Sequence, residues 1–361
     1  MRVAVDCMIL GRSVTRFQEN DHGLLRGLAQ LAPDDLQVTA LLSARGGDAP
    51  DCATISVSRG PWYTRTRVGR IFHEQAALGS WLRSARMDVV HGAAYVLPLG
   101  WDGPSVVTIH DTITLSHPQW CKWANALHYR EVMTRSALAA DVLLTPSEEA
   151  RSQVVARLGV ARSRVRVAAL GVDESFAPAS EEAVAAVRER YGIGESYLLC
   201  VGNIEPRKNL PAVIEAFEVF AREAPHELVI AGKRGWRWRP SIEAMTASPV
   251  SERIRALGYV ADEDLPALYS GADALVQWSL HEGFGLAPLE AMACGTPAVV
   301  SDGGALAEVA GEAAEVVPLE VGPGGLADAL VAVVVDEARR QAMIERGLTH
   351  AASFTWRRHA A

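Results

Sequence analysis

The stretch from His281 to Ser301, HEGFGLAPLEAMACGTPAVVS, constrains the fold of this chain most. Two glycines bracket Phe284, and an apolar run of good helix formers follows. Gly295 and Pro297 then precede a β-branched AVVS. That order predicts loop, helix, turn and strand. Glu282 falls in the loop and Glu290 on the helix, with the helix N-terminus between them. A helix start presents unpaired N–H groups and about half a positive charge, which suits a phosphate. Carboxylates accept hydrogen bonds from hydroxyls. A phosphate flanked by two sets of hydroxyls describes a nucleotide sugar.

The rest of the chain repeats the same alternation of short apolar strands and helices. Strands are predicted at 2–10, 37–42, within 43–60, and at 88–91, 105–109, 142–145 and 165–168. Helical spacing appears at 21–32, 71–84, 122–139 and 147–158, the last opening on a capping serine and an acidic first turn. Alternating βα units indicate a parallel sheet covered on both faces. Gly171–Ser180 breaks the pattern with Gly, Pro and Ser, and the boundary is placed there, giving domains 1–174 and 175–361. A second βα series follows, with strands at 197–201, 227–231, 254–257 and 274–276. Its helices are expected at 210–222, 264–270, 305–309 and 326–335. At 361 residues, two domains also suit the length.

Several residues carry candidate chemistry. His110-Asp111 follows a strand at the edge where open α/β sheets place their ligand crevice. Asp111 orients His110, His110 meets substrate directly, or Asp111 is a loop cap. Gly202 ends a strand and allows close backbone approach, and Arg207-Lys208 then puts two cations before a helix. The segment 59–70 holds four arginines with Trp62 and Tyr63. As a loop it could grip an anionic headgroup or acceptor, or simply be solvated. Asp262-Glu263-Asp264 has the outline of a D-x-D metal motif, but it opens a helix, where acidic residues suit the dipole. Gly303-Gly304 lacks the setting of a dinucleotide fingerprint.

Charge and cysteine content narrow the classes. Net charge is −8, which argues against a nucleic-acid partner. Residues 1–170 hold 19 Lys+Arg against 15 Asp+Glu, and the remainder 16 against 28, so the halves carry +4 and −12. A basic first half could meet an anionic acceptor or a membrane surface. The five cysteines are scattered without a C-x-x-C, so neither disulfides nor zinc are expected and a cytoplasmic setting fits. No apolar run reaches spanning length, and Asp6 interrupts the N-terminal run, which reads as a buried strand rather than a signal peptide.

HEGFGLAPLEAMACGTPAVVS, VGNIEPRKNL, LGYVADEDLPALYSGAD and TIHDTITLSHPQW, in their present order, resemble the retaining family-4 glycosyltransferases of GT-B fold. IAGKRGWRW and RIFHEQAAL resemble the bacterial mannosyl-/hexosyltransferase branch, so the likeness covers nearly the whole chain. The resemblance implies two Rossmann-like βαβ domains facing across a cleft, the second holding most of a GDP-, UDP- or dTDP-sugar, with no metal and no cofactor. It implies that Glu290 holds the ribose hydroxyls and Glu282 those of the donor sugar. Backbone N–H groups of Phe284, Gly285 and Leu286 would meet sugar or phosphate, while Arg207 and Lys208 neutralise the diphosphate. Tyr259 and Val260 would lie near the base, and His110 would approach the sugar from the first domain. The acceptor would be a glycan, a lipid-linked saccharide or a small molecule, and the enzyme would work in the cytoplasm or at the inner face of the membrane.

Two departures stand out. Family members carry a glycine-rich loop after the first strand, whereas alignment places Arg16, Phe17, Gln18, Glu19 and Asn20 there, with Gly23 nearby. The chain also stops soon after Phe354-Thr-Trp356, where the family continues into a helix that crosses back. Both leave open a second expectation, a non-catalytic nucleotide-sugar-binding or scaffold subunit.

Overall fold

A computed structural model describes residues 1–8, 16–31, 36–46 and 52–361, with backbone alone for 16–21 and 124–125. The chain divides into two compact units, Met1–Gly171 with Thr355–Ala361, and Val172–Phe354. The first unit thus ends just before the expected boundary and takes the C-terminal turn as well.

In the first unit, β1 (Arg2–Asp6), β2 (Gln37–Leu42), β3 (Ile55–Arg59), β4 (Val89–Gly92), β5 (Ser105–Thr108), β6 (Val142–Thr145) and β7 (Val165–Val167) form one sheet. Its order is β3-β2-β1-β4-β5-β6-β7, and every neighbouring pair is parallel. The helices are α1 (Arg16–Leu31), α2 (Arg67–Ala76), α3 (Leu78–Ser84), α4 (Ile113–Ser116), α5 (Trp123–Ala139) and α6 (Glu148–Leu158). Residues such as Ala4, Val90, Val107 and Leu143 are wholly buried between sheet and helices. Local chemistry explains the elements: Ser147 accepts a hydrogen bond from the Ala150 N–H and so starts α6, with Glu148 and Glu149 in its first turn.

Three expectations in this unit are corrected. Residues 59–70 are not a loop: Trp62–Arg65 form a single 3-10 turn, and Arg67 and Arg70 already belong to α2. The helix starts there because Thr66 Oγ1 accepts from the Gly69 N–H, a cap that the arginine-rich sequence disguises. The helix expected over 71–84 is two helices broken at Ala77. The helix expected at 21–32 begins at Arg16, so the residues aligned with the glycine-rich loop open α1. Positions 9–15, which carry the rest of the chain between β1 and α1, lie outside the described residues.

The second unit contains β8 (Tyr197–Val201), β9 (Glu227–Ala231), β10 (Ile254–Gly258), β11 (Ala274–Gln277), β12 (Ala298–Ser301) and β13 (Glu315–Val317). They form a parallel sheet in the order β10-β9-β8-β11-β12-β13. Its helices are α7 (Glu181–Tyr191), α8 (Leu210–Phe220), α9 (Arg239–Ala247), α10 (Leu265–Ser270), α11 (Leu286–Ala293), α12 (Leu306–Ala310), α13 (Gly322–Val335) and α14 (Glu337–Ala351). The order reverses between β8 and β11, the switch point at which such sheets open a crevice at their carboxyl ends. Asp264 precedes α10 without capping it; its buried carboxylate accepts from Arg190 Nη1 at 2.6 Å and the Tyr191 hydroxyl at 2.7 Å.

The last helix, α15 (Trp356–Ala360), returns to the first unit. A side chain at Gly23 or Gly27 of α1, or at Gly171, would collide with Trp356, so three glycines make the seat for its ring and backbone. His359 Nδ1 lies 3.0 Å from the Ala169 carbonyl. Among the described residues no helix is long and apolar enough to cross a membrane.

Candidate active site

In the second unit, the chain leaves β11 as Gln277-Trp278-Ser279 and reaches Glu282 at the switch point. Its backbone is tied down on both sides: Leu280 N–H donates to Arg207 O at 2.8 Å, and Ala305 N–H to Glu282 O at 2.9 Å. The Glu282 carboxylate is buried. It pairs with Arg207 Nη1 and, at 2.7 Å, with Lys208 Nζ. Ser279 Oγ donates to it at 3.0 Å and Gln277 Nε2 at 3.3 Å. Burial alone would push this carboxyl upward, but the Arg207 and Lys208 charges outweigh it and hold the group at about 2. Glu282 is therefore an anion at any working pH.

Two backbone features bring the cations in. Glu205–Pro206–Arg207–Lys208 makes a 3-10 turn closed by Asn209 at φ +54°, and Arg207 Nε also donates to Glu205 Oε1 at 2.9 Å. Gly202 at φ +133° ends β8, and a Cβ there would stand 2.8 Å from Lys208 Cε. A side chain at this position would strain the backbone and push the lysine off the strand end.

Gly285, at φ +110°, turns the chain into α11, and no side chain caps that helix. The first N–H groups of α11 consequently carry the partial positive charge of the helix start beside the Glu282 loop. Phe284 is buried with its ring edge-on to Phe354, centroids 6.1 Å apart, which anchors the turn. One helical face further on, Glu290 is buried and accepts from the Tyr269 hydroxyl at 2.6 Å. The two glutamates thus have different company: a pair of cations for Glu282, a neutral phenol for Glu290.

Tyr259 follows β10 and is 53% exposed, with Lys233 Nζ 4.2 Å from its ring centroid. Val260 beside it is buried. Ile204 N–H donates to Lys233 O at 2.9 Å, so the segment carrying Lys233 is laced to the turn that carries Arg207.

In the first unit, His110 and Asp111 follow β5. His110 is buried, its Nε2 is 3.1 Å from the Ala93 carbonyl, and burial pushes it down to about 4 despite the neighbouring Asp111 charge. It is a neutral imidazole at neutral pH. Asp111 accepts from the Ile113 N–H at 2.9 Å and the Tyr95 hydroxyl at 3.1 Å, so it caps its own loop and fixes Tyr95. Tyr95, at φ +64°, lies edge-on to His110, centroids 5.6 Å apart. Behind them, His91 Nε2 meets Thr108 Oγ1 at 2.8 Å and is pushed down to about 3 by burial.

The structure gathers Gly202, Arg207, Lys208 and Glu282 into one cluster and adds Gln277 and Ser279, which lie just beyond the strand expected at 274–276 and were not among the candidate residues. A polar pair closing the apolar ALV of β11 was the available signal. Tyr269 and Tyr95 left no trace in spacing. Nor did Asp6 and Glu74, two buried carboxyls near Arg70 that burial raises to about 6 and about 8. Among the described residues no group of three His, Cys, Asp or Glu is placed to hold a metal ion.

Comparison with known proteins agrees with this architecture. A family model described as glycosyl transferases group 1 matches residues 186–350, and one described as glycosyltransferase family 4 matches residues 23–176. The chain is 31% identical over 282 residues to the O-antigen chain mannosyltransferase B of Escherichia coli, covering 76% of this chain and 72% of that one. It is 29% identical over 279 residues to the serotype-specific mannosyltransferase WbdA of Escherichia coli, covering 74% of this chain but 34% of that longer one. In fold it is similar to the sucrose-phosphate synthase of Thermosynechococcus elongatus, with a TM-score of 0.77 at 19% identity, over 99% of this chain and 96% of that one. The chain belongs to the family-4 glycosyltransferases, has their GT-B fold, and is a hexosyltransferase.

Proposed function

We propose that the protein is a retaining, metal-independent hexosyltransferase. Its donor is a nucleoside-diphosphate sugar, with GDP-mannose ahead of UDP-glucose and dTDP-sugars, and its acceptor is a glycan, a lipid-linked saccharide or a small molecule. The observation that carries this reading is the buried Glu282–Arg207–Lys208 cluster beside the uncapped start of α11. Breaking a sugar–diphosphate bond places negative charge on the leaving phosphate. Arg207, Lys208 and the α11 N–H groups are prepositioned donors for that charge. They fill the role for which other enzymes use a divalent ion. Glu282, ionised throughout, accepts from donor-sugar hydroxyls, and Glu290 accepts from the ribose. Tyr259 and Val260 flank the base. Neutral His110 offers its imidazole to a substrate hydroxyl, with Asp111 and Tyr95 holding its loop. No protein nucleophile is assigned; the acceptor attacks from the face that the phosphate leaves, which retains the anomeric configuration. Mannose leads because the two bacterial relatives above are mannosyltransferases.

The test is donor turnover. The purified chain is incubated with GDP-mannose, UDP-glucose and dTDP-glucose, with and without EDTA, and released nucleoside diphosphate is measured. Product anomers are then read by NMR. Release that survives EDTA, is fastest from GDP-mannose and yields an α-linked product from the α-donor supports the reading. Donor binding without turnover in any acceptor mixture, unaltered in Glu282→Ala and His110→Ala, would identify a scaffold instead.

A further inference from the structure

Residues 171–361 hold 28 Asp+Glu against 16 Lys+Arg, yet four of those cations fall within seven positions, Lys233, Arg234, Arg237 and Arg239. The segment follows β9 at the carboxyl edge of the second sheet. Arg234 and Arg239 lie over the Trp238 ring, 4.5 and 6.0 Å from its centroid, and Arg237 is 5.9 Å from that of Trp236. Those arginines rest on rings of their own segment. Lys233 does not: its Nζ reaches across to the next strand end and stands 4.2 Å from the Tyr259 centroid. Both side chains are exposed, and no carboxylate among the described residues pairs with Lys233. The face of Tyr259 holds the ammonium by its charge, which leaves N–H groups for a ligand.

The backbone beneath this pair is fixed. Gly202 follows β8, Gly232 follows β9 and Gly258 closes β10. Gly202 N–H donates to Ala231 O at 2.9 Å, and Gly232 N–H to Gly258 O at 2.7 Å. A Cβ at Gly232 would collide with the Gly202 carbonyl, so these strand ends touch. Gly235 N–H in turn donates to Ile204 O at 3.0 Å, which clamps the segment from its other side. Neighbouring strands lie about 4.8 Å apart, so about 10 Å separates the end of β8 from the end of β10, two places along the sheet. Arg207 and Lys208 stand at the first of these ends, Tyr259 and Lys233 at the second. A ribose fits that interval, between a diphosphate at one end and a base at the other.

We propose that Lys233 sets the base specificity of the nucleotide site, its ammonium donating to O6 and N7 of a guanine laid against Tyr259. The inference rests on the nucleotide-sugar reading above. Guanine carries these two acceptors side by side, and a basic side chain on that pair is the commonest specific contact to a base. Adenine has an amino group in place of O6 and meets the ammonium with a donor. Uracil and thymine offer O4 beside a carbon, one acceptor instead of two. Lys233 therefore discriminates most strongly against adenine and less strongly against the pyrimidines.

The experiment is calorimetric binding of GDP, IDP, UDP and ADP to the whole chain. Inosine keeps O6 and N7, so IDP should bind within about threefold of GDP, and ADP at least about tenfold more weakly. UDP should fall between them. Lys233→Met should weaken GDP and IDP about tenfold and leave ADP unchanged, whereas Lys233→Arg should keep the guanine preference. Arg239→Met, the charge-matched control on the same segment, should alter none of the four. Lys233 and Arg239 are exposed, so the variants should fold, as thermal melts will report. Equal weakening of all four nucleotides by Lys233→Met would mark a general cation for phosphate and overturn the proposal. So would a tightest binding of UDP or ADP, or an equal loss in Arg239→Met. A chain that binds no nucleoside diphosphate overturns the nucleotide-sugar reading itself; binding without a guanine preference overturns this inference alone.

Discussion

Two regions of this molecule lie at the carboxyl ends of strands in two similar sheets, one on β11 beside its switch point and one on β5, a strand beyond the other switch point, and they solve the problem of buried polar chemistry in opposite ways. At the carboxyl end of β11, Glu282 is kept charged by packing it against Arg207 and Lys208. At the carboxyl end of β5, His110 is kept neutral by burying it beside a carbonyl and an aromatic edge. The first region is saturated with charge, so its parts depend on one another. Among the described residues, the second has no cation paired with its single carboxylate, Asp111, and is held by local hydrogen bonds and a ring edge, so its parts can be removed singly. Under the proposed function, the diphosphate is met by the former and a sugar hydroxyl, without added charge, by the latter.

The largest expected effect comes from breaking the charged cluster. Arg207→Ala with Lys208→Ala should abolish measurable donor binding by calorimetry, because the diphosphate loses both side-chain cations. Glu282→Ala should lower kcat/KM for transfer by roughly 10²–10³-fold, the range for one prepositioned polar group. Either change leaves buried charge unmatched and should cost about 3 kcal/mol of stability in denaturant titrations. If Glu282→Ala lost no activity, the assignment of that carboxylate to the sugar would fail.

The contrast should also be visible as two separate acid windows. The Glu282 carboxyl is depressed to about 2 in the folded state against 4.5 for the free group. The unfolded chain therefore binds more protons between these values, and stability falls as pH drops through that interval. His110 is depressed to about 4 from 6.5, so its window lies higher, with the charged imidazole favouring the unfolded chain below 6.5. Each shift corresponds to about 3 kcal/mol at most. Glu282→Gln should flatten the acid limb between pH 4.5 and 2. His110→Gln should flatten part of the limb between 6.5 and 4, the remainder being shared by His91 and by His73, His128 and His359, which burial also lowers. Glu74 has the opposite sign: burial, then Asp6, raises it, so the folded state holds the extra proton and stability falls as pH rises. Glu74→Gln should raise the melting temperature at pH 8 and do little at pH 4. One common acid transition for all three variants would erase the distinction between the regions.

How these regions could be read beforehand also differs. Strands and helices were legible wherever an apolar tetrad met a capped, amphipathic run, as at Ala298–Ser301 and Ser147–Leu158. The pairing of Arg207 and Lys208 with Glu282 was not, because it depends on β8 and β11 becoming neighbours through a crossover, 75 residues apart in sequence for Arg207 and Glu282. The resemblance assigns the cations to the diphosphate and the carboxylate to the sugar, and nothing in their spacing indicates that they touch. In α2 the failure was local: a start at Thr66 looks like a polar loop until burial of His73 and Glu74 is known. The short tail concealed its return in the same way, since the glycines that seat Trp356 lie at positions 23, 27 and 171.

A smaller effect should follow from Gly202→Ala. The backbone at φ +133° and the 2.8 Å approach to Lys208 Cε both resist a Cβ. The expected cost is about 1–3 kcal/mol by thermal melting, with KM for donor rising more than kcat falls, since the change displaces a binding cation.

The smallest change tests the neutral side of the comparison. Tyr95→Phe removes the hydroxyl that donates to Asp111 at 3.1 Å but keeps the ring edge against His110. Asp111 retains its 2.9 Å bond from the Ile113 N–H, so the loop should hold its shape. The expected loss is about 1.5 kcal/mol, the low end for a hydrogen bond to a charged group, at this part-buried site. Matched measurements on Lys208→Ala should show a loss about twice as large. If Tyr95→Phe proved as costly as Lys208→Ala, the His110 region would be a coupled network like that of Glu282, and the two ends would have to be regarded as built on one plan.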